Sequence, residues 1–211
     1  MLFPHTKTRR TLLRHANPPE GVTAHDLLLK AELNDLPSAE VFGALYSKEV
    51  SAQFIVERRD TDRVVGYVSF HHLDLSGQHV RASFFTDPAA AGNGVGAEVI
   101  LMTVNYAFAM WNVRKIYFWT TETDFAAFRT AFNSAYKEAT LPEHLYDRGA
   151  LRDVHIYAVY REQWEEHGTE LLNKLAQGPG ERREAASTAS TVSAVSAVST
   201  DSAEASEGEK S

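Results

Sequence analysis

The sequence predicts a mixed α/β domain, and three observations predict it. Runs of alternating apolar and polar residues joined by short polar turns read as hairpin strands between Ala52 and Thr86. A glycine-rich turn, Ala90-Ala91-Gly92-Asn93-Gly94-Val95-Gly96-Ala97, follows them and opens the apolar stretch from Glu98 to Trp111, which reads as a buried helix. Strand character then resumes at Lys115-Ile116-Tyr117-Phe118-Trp119-Thr120-Thr121, rich in aromatic and β-branched residues.

Each element has a local reason. Thr8 to His15 reads as a first strand, centred on Thr11-Leu12-Leu13-Arg14 and stopped by Asn17-Pro18-Pro19-Glu20-Gly21. Ala24 to Leu33 has helical spacing, with Leu27, Leu28 and Ala31 on one face. Leu36-Pro37-Ser38 supplies a cap for a second helical stretch, Ala39 to Ser47. Ala52, Phe54 and Val56 alternate with Gln53 and Glu57; Val64, Val68 and Phe70 alternate with Val65, Tyr67 and Ser69. Arg59-Asp60-Thr61-Asp62 joins these two runs as a hairpin. Asp74-Leu75-Ser76-Gly77-Gln78 turns the chain into the strand His79 to Thr86, which ends at Asp87-Pro88. Beyond the strand at Lys115, Thr123-Asp124 can cap a helix from Phe125 to Asn133. Tyr136 to Leu141 reads as a short strand or extended link, and Asp147-Arg148-Gly149 as a turn. Val154, Ile156, Ala158 and Tyr160 alternate along a last strand, and Arg161-Glu162-Gln163-Trp164 closes the domain.

These elements divide the chain into a domain at 8–166, a helical extension at 167–177 and a tail at 178–211. The tail is rich in Ala, Ser and Thr and has no aromatic residue, so its composition predicts disorder. Hydrophobic residues make up 44% of the 211 and aromatics 10%, enough for the core of one domain. A net charge of -7 argues against a nucleic-acid partner. The absence of cysteine removes disulfides, thiol nucleophiles and Cys-based zinc sites. Met1 to Lys7 lacks the apolar core of a signal peptide, and no apolar run approaches the ~20 residues of a membrane span. The expectation is a soluble cytoplasmic protein with no membrane partner, monomeric or homodimeric.

A strand, a glycine turn and a helix start together make an anion site. The first helical turn has unpartnered N–H groups and the positive end of the dipole, and glycine lets a phosphate approach the backbone. A P-loop requires Gly-Lys-Ser/Thr here, but Ala97-Glu98 follows the last glycine. A dinucleotide fold requires G-x-G-x-x-G among parallel units, whereas the spacing is Gly92-x-Gly94-x-Gly96 after hairpins. By itself the loop also suits a turn selected for geometry alone.

Ala91-Gly92-Asn93-Gly94-Val95-Gly96 resembles the acetyl-CoA loop of the GNAT acetyltransferase superfamily, Q/R-x-x-G-x-G/A, except that Ala91 replaces the usual first residue. The likeness extends from Val64 to Trp164. Phe84-Phe85-Thr86-Asp87-Pro88 matches the strand end before the loop, and Asp124 stands where an Asn often follows the fifth strand. Leu145-Tyr146-Asp147-Arg148-Gly149 and Asp153 to Trp164 are similar to the closing hairpin of the ribosomal-protein N-terminal acetyltransferase branch. The resemblance implies a mostly antiparallel central sheet flanked by helices and splayed between the strands Val80–Thr86 and Lys115–Thr121. Acetyl-CoA as co-substrate would lie in the splay, on Phe84, Phe85 and Thr86, with its pyrophosphate on Ala91, Gly92, Asn93, Gly94, Val95 and Gly96. Asp124 and Phe128 would complete the contact, no metal is implied, and the amine acceptor would enter from the opposite side.

The resemblance implies no secured acid–base set. Positions that often carry carboxylates hold Arg81 and Trp119, and the position of a frequent general-acid tyrosine holds Ala131. Glu122, His155 and Ser83 are the replacement candidates. Tyr46, Phe70, Tyr117 and Trp119 are candidate walls of an acceptor pocket. His71-His72 is a poor metal pair, because adjacent strand residues face opposite sides. The expected activity is acetyl transfer from acetyl-CoA to a primary amine, of a small molecule or a protein N-terminus. The alternative is a non-catalytic acyl-CoA-binding or regulatory module, motivated by the missing acid–base groups. An acyltransferase fed by a carrier protein is disfavoured, since such carriers are acidic like this chain.

Overall fold

A computed structural model describes residues 2–16, 21–30, 38–42, 50–87, 89, 94–121, 135–147 and 149–176. Expectations for the helix Phe125 to Asn133, for most of Ala39 to Ser47 and for the tail at 178–211 lie outside them.

Seven strands form one sheet: β1 Thr11–His15, β2 Val50–Arg58, β3 Val64–Asp74, β4 His79–Thr86, β5 Lys115–Thr120, β6 Tyr136–Asp147 and β7 Ala150–Tyr160. Their order is β1-β2-β3-β4-β5-β7-β6, antiparallel throughout except where β4 meets β5. Helix α1, Gly21–Lys30, and helix α2, Val95–Met110, flank it. The chain ends its described part in a short helix α3, Arg161–Gln163, a π turn at Trp164–Gly168, and helix α4, Thr169–Ala176.

The core follows the strand period. Phe54, Val68, Phe70, Val80, Ala82, Ile116, Phe118, Tyr157 and Val159 pack in one buried cluster with Val99, Ile100, Val104 and Phe108 of α2. Alternate residues of the same strands therefore face the other way. There α1 covers one corner, where Ala24 and Leu27 pack with Phe42, Ile55 and Tyr67. Helix α2 is buried on nearly all sides, which suits its almost unbroken apolar sequence. Trp164 and Leu172 join the α2 cluster, so the segment after β7 packs on the domain. None of the helices among the described residues is long and apolar enough to cross a membrane.

Several boundaries differ from expectation: α1 begins at Gly21 and not at Ala24, and α2 at Val95 and not at Glu98. Thr8 to Arg10 forms a turn before β1, because the Thr8 amide donates to the Thr11 carbonyl at 2.8 Å. Strand β6 runs on to Asp147 instead of stopping at Leu141. It is an edge strand with irregular register at Lys137/Ala139 and Leu141/Leu145. Pro142 and Glu143, the latter at φ +48°, fall in the second irregularity and break the alternation that marks a strand in sequence.

Candidate active site

Strands β4 and β5 pair at His79–Lys115, Val80–Ile116 and Arg81–Tyr117, and then part. Their outer edges stay paired, β4 with β3 up to Thr86 and β5 with β7 up to Thr120. A V-shaped notch therefore opens between Ala82–Thr86 and Phe118–Thr120. Beyond that point neither inner edge has a strand partner among the described strands. The rings of Phe84 and Phe118 meet edge to face, centroids 6.2 Å apart, on the α2 side of the notch.

Beyond β4 the chain reaches the start of α2. Gly94 caps the helix with φ +84°, a left-handed conformation that glycine adopts without strain. A Cβ on Gly94 would lie 2.8 Å from Nη2 of Arg10, whereas one on Gly96 would meet, among the described residues, only Thr86 Oγ1, at 3.6 Å. The backbone here is thus open to an anion at Gly96 and flanked by a guanidinium at Gly94. Arg10 is held by Glu98, its Nε donating at 2.7 Å and its Nη2 lying 2.6 Å from the same carboxylate oxygen. Glu98 is buried, and its other oxygen accepts from the Thr8 and Thr11 hydroxyls. This carboxylate is a strut between β1 and α2, with its oxygens occupied by protein donors.

On the face away from α2, polar groups line β3 and β4. Ser69 and Ser83 are register partners, as are His71 and Arg81. A 2.8 Å hydrogen bond joins His71 Nε2 and Ser69 Oγ, both residues being buried. Burial first, and then the positive charges of Arg81 and His72, push the His71 pKa down to about 4. His71 is therefore neutral near pH 7. Next to the apex of the notch, this face holds a cavity of about 490 Å³ lined by His72, His79, Arg81, Tyr117, Trp119 and Glu138.

The sequence-derived candidates separate on these coordinates. Ser83 lies on the cavity face, while His155 lies on the α2 face in register with Thr120. His155 is buried; its Nδ1 is 3.1 Å from Thr140 Oγ1, and its Nε2 has no hydrogen-bond partner among the described residues. The two candidates do not converge on one point. Phe84 sits by the notch, but the Phe85 side chain packs with the α1 cluster and Val95 is buried in the core, leaving their backbones for a ligand. Thr86 ends β4 beside Gly96. Ala91, Gly92, Asn93, Glu122, Asp124 and Phe128 lie outside the described residues, as does Tyr46. Of the expected pocket walls, Tyr117 and Trp119 line the cavity; Phe70 is in the core with no exposure.

Sequence reasoning missed Arg10, Glu98 and the Ser69–His71 pair. Glu98 carried a sign: it is the sole acid in the otherwise apolar α2. Arg10 carried none, because its partner is far away in sequence, whereas Ser69 and His71 are two apart on one strand and so share a face.

The acetyltransferase (GNAT) family model matches residues 20–132, more than half of the chain. The chain belongs to the GNAT acetyltransferase family. Membership makes it an N-acetyltransferase. It is 24% identical over 174 residues to the uncharacterized N-acetyltransferase YoaA of Bacillus subtilis, covering 76% of this chain and 98% of that protein. Among solved structures it is similar to a chimera of spermidine N-acetyltransferase SpeG from Vibrio cholerae and hSSAT. That match has a TM-score of 0.64 and 19% identity over 74% of this chain and 99% of the other. The Vibrio cholerae spermidine N-acetyltransferase solved with CoA and spermine has a TM-score of 0.63 and 18% identity, with coverage of 74% and 98%. At these identities the structural likeness establishes the fold. The GNAT fold accommodates acetyl-CoA, and the notch and the open glycine turn of this chain fit such a ligand.

Proposed function

We propose that the chain transfers the acetyl group of acetyl-CoA to a primary amine by direct attack of the amine on the thioester. The observation that carries this reading is the parting of β4 and β5 after Arg81–Tyr117, with the N-terminus of α2 beside the opening. The coenzyme supplies an activated acyl group; the protein's part is mostly placement. Backbone of Phe84, Phe85 and Thr86 holds the pantetheine arm along the inner edge of β4, beyond its pairing with β5. Amides at Gly94, Val95 and Gly96 hold the pyrophosphate, with Ala91, Gly92 and Asn93 assigned to the same loop from sequence, and Asp124 and Phe128 to the coenzyme. Arg10 replaces the cation missing at position 91, reaching the loop from the segment before β1. A β4 amide near Phe84 is placed to donate to the thioester oxygen as it gains charge.

The amine arrives on the cavity face. There Ser83, backed by Ser69 and neutral His71, forms the group that takes the proton, directly or through water. His155, on the other face, serves the thiol side. Glu122 stays a candidate from sequence alone. The likeness of the closing hairpin to ribosomal-protein N-terminal acetyltransferases supports a protein N-terminus as one form of acceptor, and a small amine is the other.

Isothermal titration with acetyl-CoA and a thiol-release assay against an amine library test this. Binding with turnover of at least one primary amine is the expected result. No binding up to millimolar ligand refutes it, and binding without turnover of any amine favours the regulatory module instead.

A further inference from the structure

Glu98 is the one charged residue of α2, and it lies in the first turn of that helix. Its amide donates to the Gly94 carbonyl at 3.2 Å, and the amides ahead of it have no acceptor within the helix. Among the described residues no side chain caps them: Gly94 has none, and the Glu98 oxygens accept from Thr8, Thr11 and Arg10 instead. A carboxylate in this place suits an isolated helix and opposes an anion site. It is favoured by the positive end of the dipole, but it lowers the potential that a diphosphate would meet there. Glu98 is 2% exposed, so water screens its charge little.

Arg10 is placed against that charge. Its Nε donates to Glu98 Oε1 at 2.7 Å, and its Nη2 lies 2.6 Å from the same oxygen. The same guanidinium rests against Gly94, where an added Cβ would come within 2.8 Å of Nη2. One positive group therefore touches both the buried acid and the start of the helix. The segment that carries it is fixed: the Arg10 carbonyl accepts from the Arg59 amide at 2.9 Å, and the Thr8 carbonyl from Arg59 Nη1 at 2.7 Å. The Thr8 and Thr11 hydroxyls, on either side of Arg10 in the chain, hold the second carboxylate oxygen and keep the acid turned toward Arg10.

We infer that Arg10 sustains coenzyme binding by neutralising Glu98, so that the pair, and not either residue alone, sets the affinity of the anion site at the start of α2. The inference rests on the acetyltransferase reading above and names two positioning residues for that same site. It needs no contact between Arg10 and the ligand. Removing the cation leaves an uncompensated buried negative charge in the first turn. Removing the acid alone leaves a positive charge beside the amides. Removing both leaves a neutral helix start, as in the wild type.

A double-mutant cycle read by isothermal titration tests this, with acetyl-CoA and separately with inorganic pyrophosphate. The four chains are wild type, Arg10→Gln, Glu98→Gln and the double variant, each checked for its fold by circular dichroism. Arg10→Gln is expected to raise Kd about tenfold or more, and Glu98→Gln to leave it unchanged or lower it. The double variant should return to within about threefold of wild type. A double variant as weak as Arg10→Gln, or weaker binding by Glu98→Gln alone, overturns the inference and leaves the transferase reading standing. A purely structural role for Glu98 gives that second result. If Glu98→Gln does not fold, Arg10→Lys decides: lysine keeps the charge and should hold Kd within about threefold, while a loss equal to that of Arg10→Gln overturns the inference. Pyrophosphate bound in the expected order by a chain that does not bind acetyl-CoA keeps the inference and fails the transferase reading.

Discussion

The two faces of the sheet are built on opposite principles. The α2 face is filled: Phe54, Phe70, Val80, Ile116 and Phe118 are fully or almost fully buried against a helix that is itself apolar on nearly all sides. The opposite face is covered by α1 at one corner, and beyond it carries Ser69, His71, Ser83, Arg81 and Trp119. Burying polar groups in this way costs stability unless partners satisfy them. The strands therefore carry a packing surface and a recognition surface on alternate residues. Where that alternation meets the parting of β4 and β5, one surface adjoins the proposed coenzyme site and the other the proposed acceptor site.

Glu98 is the exception on the packed face, and removing it is expected to have the largest effect. Glu98→Ala would leave the Thr8 and Thr11 hydroxyls and part of the Arg10 guanidinium without their acceptor, inside a junction that fixes β1 to α2. Breaking a buried pair from one side costs about 3 kcal/mol or more. Denaturant titration should show that loss, with Glu98→Gln losing less because it keeps the shape and one acceptor oxygen. A loss under ~0.5 kcal/mol would mean that β1 is held by other contacts.

The glycine turn separates fold from function. Gly94→Val forces a branched residue into a left-handed conformation and against Arg10, so about 1–2 kcal/mol of stability should go together with acetyl-CoA affinity. Among the described residues Gly96→Val meets only Thr86 Oγ1, at ordinary contact distance, so it should keep the fold. Its acetyl-CoA Kd should still rise about tenfold or more, because the new branch takes space at the helix start. Sequence alone treats these two glycines alike; the structure makes Gly96 the cleaner probe. Unchanged affinity in Gly96→Val would place the pyrophosphate elsewhere.

What could be read from sequence follows from how each part is encoded. Strands β2 to β4 were legible because runs of β-branched and aromatic residues lie between short polar turns, although β3 is buried on both faces from Val65 to His71. The proposed coenzyme site could be named from sequence because it is made of consecutive backbone, so its glycines stand together in the chain. The full length of β6 was hidden by edge exposure and by the irregularity at Pro142–Glu143, where no apolar alternation is required. The cavity was hidden for a different reason. Tyr117 and Trp119 were candidate walls in sequence, but His72, Arg81 and Glu138 come from three other strands, and each looks like an ordinary solvent-side strand residue until the register brings them together. Phe70 shows the converse error: an aromatic residue beside the site in sequence belongs to the core because it points the other way.

The polar face should also leave a mark on stability against pH, smaller than the effect of Glu98. His71 has a pKa of about 4 in the folded protein, against 6.5 for the free side chain, because burial and the charges of Arg81 and His72 oppose its protonation. The unfolded chain therefore binds more protons than the folded one between those two values. By linkage, folding stability from this group is complete above pH 6.5, falls as the pH drops through that window, and levels off below about 4. The shift corresponds to roughly 2 kcal/mol once residual solvent access is allowed for. Chemical denaturation at several pH values, wild type against His71→Gln, isolates it: the variant should lack that part of the slope between pH 6.5 and 4. Parallel curves would mean that His71 takes up its proton as readily folded as unfolded. It would then be a further cation beside Arg81 below pH 6.5, not the neutral acceptor behind Ser69 and Ser83 throughout that range.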